Sequence, residues 1–352
     1  MTIKPGAFRF NTDSMKLEIF RGSANYEGSA SMAGIGTLAA GQWEEIQATS
    51  PDVLTGGARG IIWMGYSPSG FIDRIDRINI ATTGNATDFG NVIQSQESND
   101  QACSSRTRGI LAGGANPSAY PTNRTDTIQY VTISSDGDSI DFGNLQSEKY
   151  GCAGVSDSTR GIWMGGDTPT YTNEIDYVTM ASTGDANDFG NLSTNRSRPA
   201  GMNSSTRAIL ALGASSPGAN VNIIEFITIS TQGDSADFGD ATYTQSQVAG
   251  ASNSVRGIFG AGQNELTLNY ITLATLGDAI DYGDLITERR EVGATASPTR
   301  WVIAGGYDDS PGARLDSIEY TQFATTGNTI DFGDLSIARS GTSACSNGHG
   351  GL

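Results

Sequence analysis

The sequence of 352 residues predicts an all-β protein whose main part is a six-bladed β-propeller with four-stranded blades. One motif recurs six times at spacings of 44 to 52 residues, opening with arginine and closing with Asp-Phe-Gly or Asp-Tyr-Gly. Glycine is abundant, at 46 residues, and only 37% of the chain is hydrophobic, which is typical of short strands joined by turns. No segment shows the periodicity of an amphipathic helix. Units repeated in this way bury their apolar faces against their neighbours.

The first two strands of each blade are predicted around the repeated arginine. Small residues and a polar turn precede the arginine, as in residues 151–154 and 249–254, and they suit an innermost strand where six blades converge. A β-branched residue follows the arginine by two positions and a glycine follows it by six, as in Arg108, Ile110 and Gly114. The six arginines are Arg59, Arg108, Arg160, Arg207, Arg256 and Arg300.

The last two strands are predicted from an alternation and from the closing triplet. Residues 175–180 and 268–273 alternate with a period of two, as a third strand with distinguishable faces does. The triplets begin at Asp88, Asp141, Asp188, Asp237, Asp281 and Asp331. Asp-Phe-Gly also occurs in protein kinases, but six copies without a His-Arg-Asp motif or a nucleotide loop favour a structural role. We expect the aromatic ring to fill space between blades and the Asp and Gly to form a turn.

The C-terminal segment is predicted to close the ring. Residues 339–350 match the first strand and its turn, whereas residues 50–58, directly before the first arginine, match them poorly. A C-terminal strand that completes the first blade would remove two free sheet edges. The predicted domains are therefore a small N-terminal β segment, residues 1–50, and a propeller, residues 51–352.

The end of the second strand resembles the Kelch repeat, in which two glycines end that strand. Both glycines are present in three copies, at Gly113-Gly114, Gly165-Gly166 and Gly305-Gly306. The tryptophan of the last Kelch strand is absent, and the aromatic residue of the closing triplet takes a similar place. The propeller is therefore Kelch-like rather than a Kelch domain.

Residues 1–50 resemble a short element of phage tail-fibre and other virion proteins. The resemblance lies in Gly-x-x-Arg-aromatic-Asn-Thr at residues 6–12, Leu-Glu-x-aromatic-x-Gly at 17–22 and Trp-x-x-Ile at 43–46. In that element two strands form a hairpin and the tryptophan closes over it. The stretch from 23 to 41 is longer and richer in Gly and Ala than usual.

This N-terminal segment is predicted to serve attachment. Residues 30–41 have too few bulky side chains to form a core, so the segment is expected to borrow apolar surface from another virion protein or from a sister chain in a homo-oligomer. The side chains expected to be buried there are Phe8, Phe10, Leu17, Phe20 and Trp43.

The repeat itself is similar to propeller repeats of marine phage structural proteins, especially those of cyanophages. The shared phrases are Thr-Arg-Gly followed by a glycine pair, Ile-x-Tyr-x-Thr-Ile, and Asp-Phe-Gly-Asp-Leu. The two resemblances cover nearly the whole chain and imply a virion component: a tail fibre, an appendage or a surface decoration. A non-viral propeller lectin or scaffold protein is the alternative.

Charge and composition exclude several classes of function. The net charge of −17 repels phosphate backbones, so nucleic-acid binding is not expected. No apolar run is long enough to cross a bilayer, so no membrane insertion is expected. The three cysteines form no CxxC motif and are interpreted as buried thiols. The single histidine, His349, completes no Ser-His-Asp set, so we predict no catalytic residues, no enzyme activity, no metal and no cofactor.

Two sets of charged residues leave alternatives open. Acidic turns such as Asp278, Asp281 and Asp284 could supply oxygen ligands to Ca²⁺, or their carboxylates could cap turns and backbone groups. The six arginines could line a rim that binds anions, or each could pair with an aspartate of an adjacent strand or blade. The capping and pairing interpretations are preferred.

The loops between the second and third strands are the candidate binding sites. Their length varies from 5 to 13 residues, and they carry Tyr66, Tyr120, Tyr171 and Tyr307. Variable loops on a rigid scaffold commonly carry binding residues, and mixed aromatic and polar side chains suit a glycan or another protein. The alternative is that these loops are solvated spacers.

Overall fold

The computed structural model describes residues 58–94, 102–115, 123–216 and 218–352, together with the backbone of three N-terminal strands. The chain divides into two compact units, with the boundary between residues 53 and 54. Among the described residues there is no helix, and hence none with the length and hydropathy that a membrane span requires.

The smaller unit contains a three-stranded antiparallel sheet. Phe8–Asn11 pairs with Lys16–Arg21, as expected for the hairpin, and Gln42–Glu45 adds a third strand beside the second. Trp43 therefore lies on a strand of the sheet, opposite Phe20 in the register. The side chains of the attachment set (Phe8, Phe10, Leu17, Phe20 and Trp43) lie outside what the structure describes, so their burial stays a prediction.

The larger unit confirms the predicted propeller: six antiparallel sheets form its blades, each with four main strands, and the sheet of blade 4 includes one additional short strand. Blades 1 to 3 consist of Ser343–Ser346, Arg59–Trp63, Arg74–Asn79 and Thr87–Asn91; Ala102–Ser104, Arg108–Ala112, Thr127–Thr132 and Ile140–Asn144; and Ala153–Ser156, Arg160–Met164, Glu174–Thr179 and Asn187–Asn191. Blades 4 to 6 consist of Ala200–Asn203, Arg207–Ala211, Ala219–Thr228 and Ala236–Gln245; Ala249–Ser252, Arg256–Gly260, Thr267–Thr272 and Ile280–Asp284; and Gly293–Ala296, Arg300–Ala304, Ser317–Gln322 and Ile330–Asp334.

Three of the loops between second and third strands carry additional strands. Gly65–Ser67 pairs with Gly70–Ile72, Tyr307–Asp308 pairs with Ala313–Arg314, and Ala214–Ser215 pairs with the start of the third strand of blade 4. The first two of these are separate hairpins, in blades 1 and 6.

The predicted closure of the ring by the C-terminus is confirmed. Ser343–Ser346 is the innermost strand of blade 1 and pairs antiparallel with Arg59–Trp63, so that Cys345 lies opposite Ile61. The two strands come from opposite ends of the propeller sequence, and their pairing leaves blade 1 with the same four strands as the others. The sulfur of Cys345 also accepts a hydrogen bond from Trp63 Nε1 at 3.4 Å.

Each hydrophobic core lies between two neighbouring blades, as the repeat requires. Between blades 1 and 2, for example, Phe89 packs with Leu111, Val131 and Ile133. The aromatic rings of all six triplets are 2–3% exposed, which confirms their predicted place between blades: Phe89, Phe142, Phe189, Phe238, Tyr282 and Phe332. The expected turn at Asp and Gly was wrong, because the whole triplet lies within the fourth strand and the ladder to the third strand shifts register beside it.

The glycine of each triplet allows two blades to approach closely. A Cβ on Gly143 would lie 2.4 Å from the carbonyl oxygen of Gly184 in the next blade. The amide of Gly184 donates to the carbonyl of Phe142 at 2.7 Å, and equivalent bonds of 2.7–2.9 Å repeat at all six junctions. This outer belt of backbone bonds includes the seam between blades 6 and 1, where Gly84 donates to Phe332.

Gly143→Ala should destabilise the propeller more than Gly184→Ala. Both glycines have positive φ, +150° and +154°, so alanine is strained at either position by about 1–3 kcal/mol. A Cβ at Gly184 meets nothing within 4 Å, whereas one at Gly143 strikes the neighbouring backbone. The clash should add about 1–3 kcal/mol to the loss, measured as the free energy of unfolding in urea. Equal losses for the two variants would contradict this explanation of the closing glycine.

Buried ion pairs join neighbouring blades at four of the six junctions. Each cation lies in the linker after a fourth strand, and each acid lies in the third strand of the next blade. The pairs are Lys149–Asp176, Arg196–Glu225, Arg289–Glu319 and Arg339–Asp76. All eight side chains are at most 2% exposed. Gln129 and Asn269 take the acid's position in blades 2 and 5, and the linkers before those blades contain no Lys or Arg.

Burial and ion pairing act in opposite directions on the pKa of the groups in these pairs. Burial alone would raise the pKa of Asp76, but the guanidinium of Arg339 and the donors of Ser336 lower it below its usual value. Burial would likewise lower the pKa of Lys149, but the carboxylates of Asp176 and Glu174 raise it. At Asp176 burial raises the pKa in spite of the lowering effect of Lys149. Ion pairing therefore outweighs burial at Asp76 and Lys149, but not at Asp176.

Candidate functional site

The propeller has two ends that differ in their side chains. We name the end where the second strands begin, which carries the six repeated arginines, the arginine face. The opposite end, which carries the loops between second and third strands, is the loop face. The candidate tyrosines that the structure describes, Tyr66, Tyr171 and Tyr307, lie at the loop face.

The six arginines bind backbone carbonyls of the next blade. Arg108 Nη1 donates to Met180 O, and the equivalent bonds of 2.6–3.0 Å run around the whole ring, ending with Arg300 and Ile80 O at the seam. In blades 2 to 6 the guanidinium also stacks on a ring of its own third strand, at 4.6–5.1 Å from the centroid. Each of the six guanidinium groups therefore binds a partner within the propeller.

The expected pairing of each arginine with an aspartate was therefore wrong. Within the described part of the chain only Arg59, of the six, forms such a pair, with Asp136 at 3.2 Å. Blade 1 is the exception because Arg77 replaces the aromatic residue of the third strand, and Arg77 also contacts Asp136, at 2.9 Å. The structural role was predicted correctly, but the partner is a carbonyl oxygen.

The first acidic residue of each turn caps a backbone amide of the preceding blade. Asp138 Oδ1 accepts from Asn91 N at 2.9 Å, and the same bond, at 2.9–3.1 Å, is made by Asp185, Asp234, Asp278, Asn328 and Asn85. Because asparagine serves equally in two copies, the position requires an acceptor oxygen rather than a charge. No group of three or more His, Cys, Asp or Glu in the described ranges is arranged to hold a metal ion.

The C-terminal tail plugs the axis of the ring at the arginine face. His349 Nε2 lies 2.8 Å from Ser104 O, its Nδ1 lies 3.1 Å from Asn203 Nδ2, and Gly350 N donates to Ser252 O at 2.8 Å. These partners end the first strands of blades 2, 4 and 5. The cavity behind the plug measures about 30 Å³, enough for one or two water molecules. His349 is thus a structural plug, which the sequence did not predict.

The stability of the plug should depend on pH. Burial lowers the pKa of His349 to about 4, from about 6.5 in an unfolded chain. The pKa of His349 is lower in the folded state than in the unfolded chain. The contribution of neutral His349 to the free energy of unfolding is therefore complete above about pH 6.5 and is lost as the pH falls toward 4. The loss should reach at most about 3 kcal/mol, because the ring edge retains some solvent contact. The free energy of unfolding of the His349→Gln variant should lack this pH-dependent loss when it is measured from pH 7 to 4. Identical pH profiles for the variant and the parent would contradict the prediction.

The three cysteines are buried thiols outside any disulfide, as predicted. Burial raises the pKa of Cys345 to about 11 and raises that of Cys103 well above its usual value, so neither is a reactive thiolate at neutral pH.

At the loop face the structure brings two of the four candidate tyrosines together. Tyr66 and Tyr307 lie in the hairpins of blades 1 and 6, and the guanidinium of Arg314 lies over both rings, at 4.3 Å and 5.6 Å from the centroids. Tyr171 lies apart from them, in the loop of blade 3, where its backbone bridges to Asp167. Tyr120 lies outside the described residues.

Aromatic rings and guanidinium groups stack around this pair. We name the five residues of this stack the seam stack: Phe71, Tyr66, Arg314, Tyr307 and Arg290. Phe71 packs edge-on against Tyr66 at 4.8 Å, Arg314 follows, and Arg290 lies over Tyr307 at 4.8 Å. All five side chains retain partial solvent exposure. Arg314, the central member, was not among the residues that the sequence predicted, because only the pairing of Tyr307 with Arg314 in the hairpin places it there.

The two guanidinium groups of the seam stack differ in their partners. Arg290 is neutralised, with Glu291 at 2.6 Å and Asp309 at 3.1 Å. Arg314 takes part in no ion pair or side-chain hydrogen bond among the described residues, and its buried Nε has no acceptor there. Among the described residues, the guanidinium of Arg314 is therefore a cation that contacts aromatic rings and no acid.

Neither the family models nor the curated proteins contain a match to this chain.

Proposed function

We propose that this protein is a structural component of a phage virion, as a tail fibre, an appendage or a surface decoration. Residues 1–50 attach it to other virion proteins, and the propeller binds a protein or a host-surface glycan. The motifs shared with tail-fibre and cyanophage propeller sequences support the virion assignment.

The contrast between the repeated polar contacts and the seam stack is the observation that favours a binding role. The repeated arginines, the turn aspartates and the buried ion pairs are engaged in bonds between blades. The seam stack follows no repeat, is partly exposed, and contains a cation without an acid partner among the residues described. Such a departure from the repeat, on a rigid ring, suits recognition.

We propose binding without turnover. His349, the one histidine of the chain, is committed to backbone and amide partners in the axis. The proposed role needs no cofactor and no contact with nucleic acid or membrane. A non-viral lectin or scaffold would use the same loop face, but it would not need residues 1–50 for assembly on a particle.

Trp43→Ala should weaken assembly onto the particle and leave the melting temperature of the propeller nearly unchanged. Three short strands with two open edges are marginal alone, so the sheet is expected to be completed by a partner or a sister chain. The measurement is incorporation of the tagged protein into particles, followed by calorimetry of the purified chain.

Trp163→Phe is the matched control, because Trp163 is fully buried between blades 2 and 3. It should lower the melting temperature of the propeller and leave incorporation intact below that temperature. If Trp43→Ala instead unfolds the propeller while assembly survives, the proposed attachment role is wrong.

A further inference from the structure

The seam stack is built on two rigid hairpins at the junction of the last and first blades. In one hairpin Tyr66 lies directly opposite Phe71, and in the other Tyr307 lies directly opposite Arg314. The second hairpin is tightened by Gly312, whose φ is +84° and whose amide donates to Asp308 O at 3.0 Å. The rings and the guanidinium are thus held in place before any ligand arrives, which lowers the entropy lost on binding.

A seam stack whose role was only structural would not need a free cation. The seam is already closed by the strand Ser343–Ser346 and by the buried pair of Arg339 and Asp76. Tyr66 also exchanges two backbone hydrogen bonds with Ser340, of 2.8 and 3.0 Å. Arg314 adds to these a planar fork of donors at a partly exposed surface, and its buried Nε lacks an acceptor.

The donors of the Arg314 guanidinium are not used by the acids beside it. The neighbouring acids are engaged elsewhere: Asp309 and Glu291 bind Arg290, and Asp308 caps the amide of Ser310 at 2.8 Å. A planar carboxylate matches the guanidinium fork with two parallel hydrogen bonds. The rest of the chain, at net charge −17, repels polyanions, so an acidic ligand retained here would be held by this site and not by a general field.

The size of the patch favours a sugar over a protein. Five partly buried side chains offer far less than the roughly 800 Å² per partner that a stable protein interface uses. Tyr66 and Tyr307 stay partly exposed beside the stacked guanidinium groups, and an apolar ring edge together with a hydroxyl suits the mixed surface of one or two sugar rings.

We propose that Arg314, between Tyr66 and Tyr307, binds the carboxylate of an acidic sugar unit in a surface glycan, with the tyrosine rings contacting the sugar ring. This inference rests on the proposed function and specifies the ligand of its loop face.

Isothermal titration calorimetry with an oligogalacturonate and with its carboxyl-reduced, neutral counterpart tests the proposal on the full chain. The parent should bind the acidic oligosaccharide and not the neutral one. Arg314→Gln should weaken binding about 10- to 100-fold, the range for losing charge-assisted hydrogen bonds. Arg314→Lys should weaken it less, because the charge remains while the planar fork is lost. Arg106→Gln is the matched control: it removes one positive charge from the turn between the first two strands of blade 2, at the arginine face, and should bind like the parent.

Three results would overturn the proposal: no binding of the acidic oligosaccharide by the parent, equal binding of both oligosaccharides, or unchanged binding by Arg314→Gln. A fall in melting temperature for Arg314→Gln with no glycan binding by the parent would identify the stack as a structural seam. None of these results bears on incorporation into particles, so the proposed virion role is tested separately.

Discussion

Deleting residues 339–352 should abolish cooperative unfolding of the propeller. The deletion removes the innermost strand of blade 1, the cation that neutralises buried Asp76, and the His349 plug. It also leaves the inner edge of Arg59–Trp63 unpaired. Because each blade buries its apolar surface only against its neighbours, an open ring exposes the cores on both sides of the gap.

Differential scanning calorimetry distinguishes the parts of this effect. The parent should unfold in one transition whose calorimetric and van't Hoff enthalpies agree, and the deletion variant should lose that agreement. A shorter deletion, of residues 347–352, is the matched control: it removes the plug but keeps the strand, so it should lower the melting temperature and remain cooperative. A protein lacking residues 339–352 that is as stable as the parent would rule out closure by this strand.

Arg196→Gln should destabilise the propeller by about 3–5 kcal/mol, because it leaves the carboxylate of Glu225 buried without its cation. The Glu225 carboxylate would keep the Ser193 amide and the Ser235 hydroxyl as donors, and these do not neutralise it. Urea unfolding provides the free energies.

The double variant Arg196→Gln with Glu225→Gln should recover most of this loss. Two blades of this chain already have a neutral amide at this position. Gln129 and Asn269 replace the acid there, and the linkers before those blades lack Lys and Arg. Gln129 Oε1 accepts from Ile93 N at 3.0 Å and from Ser139 Oγ at 2.6 Å, so a neutral amide makes the same cap. A double variant no more stable than Arg196→Gln alone would show that the pair itself, and not charge neutrality, holds the junction.

The fold could be predicted because every level of the repeat agrees. Small residues mark the inner strands, alternation marks the third strands, and the triplet marks the fourth, so six aligned copies define the ring. The closure by Ser343–Ser346 followed from a seventh first strand and a poor match before Arg59.

Several contacts could not be predicted, for physical reasons. Carbonyl partners such as Met180 O carry no sequence signal, so the repeated arginines were assigned to aspartates instead. The buried pairs combine a linker residue with a strand of the next blade, and the pair of Arg339 with Asp76 spans almost the whole chain. A circular alignment of the repeats would have found them.

The candidate site was predicted in part. Tyr66 and Tyr307 were singled out because they lie in variable loops, but Arg314 emerged only when the hairpin placed it opposite Tyr307. The plug was missed because His349 was judged by its lack of catalytic partners. The glycines around it were the available signal, since a Cβ at Gly351 would lie 2.0 Å from Ser156 O.

Mass spectrometry of virus particles purified from the source of this chain tests the proposed function most directly. Peptides from both residues 1–50 and residues 51–352 should sediment with the major coat protein at a constant ratio across the density gradient, and they should persist through a high-salt wash. Detection of the chain only in the soluble fraction of the lysate, with none in washed particles, would contradict the virion role.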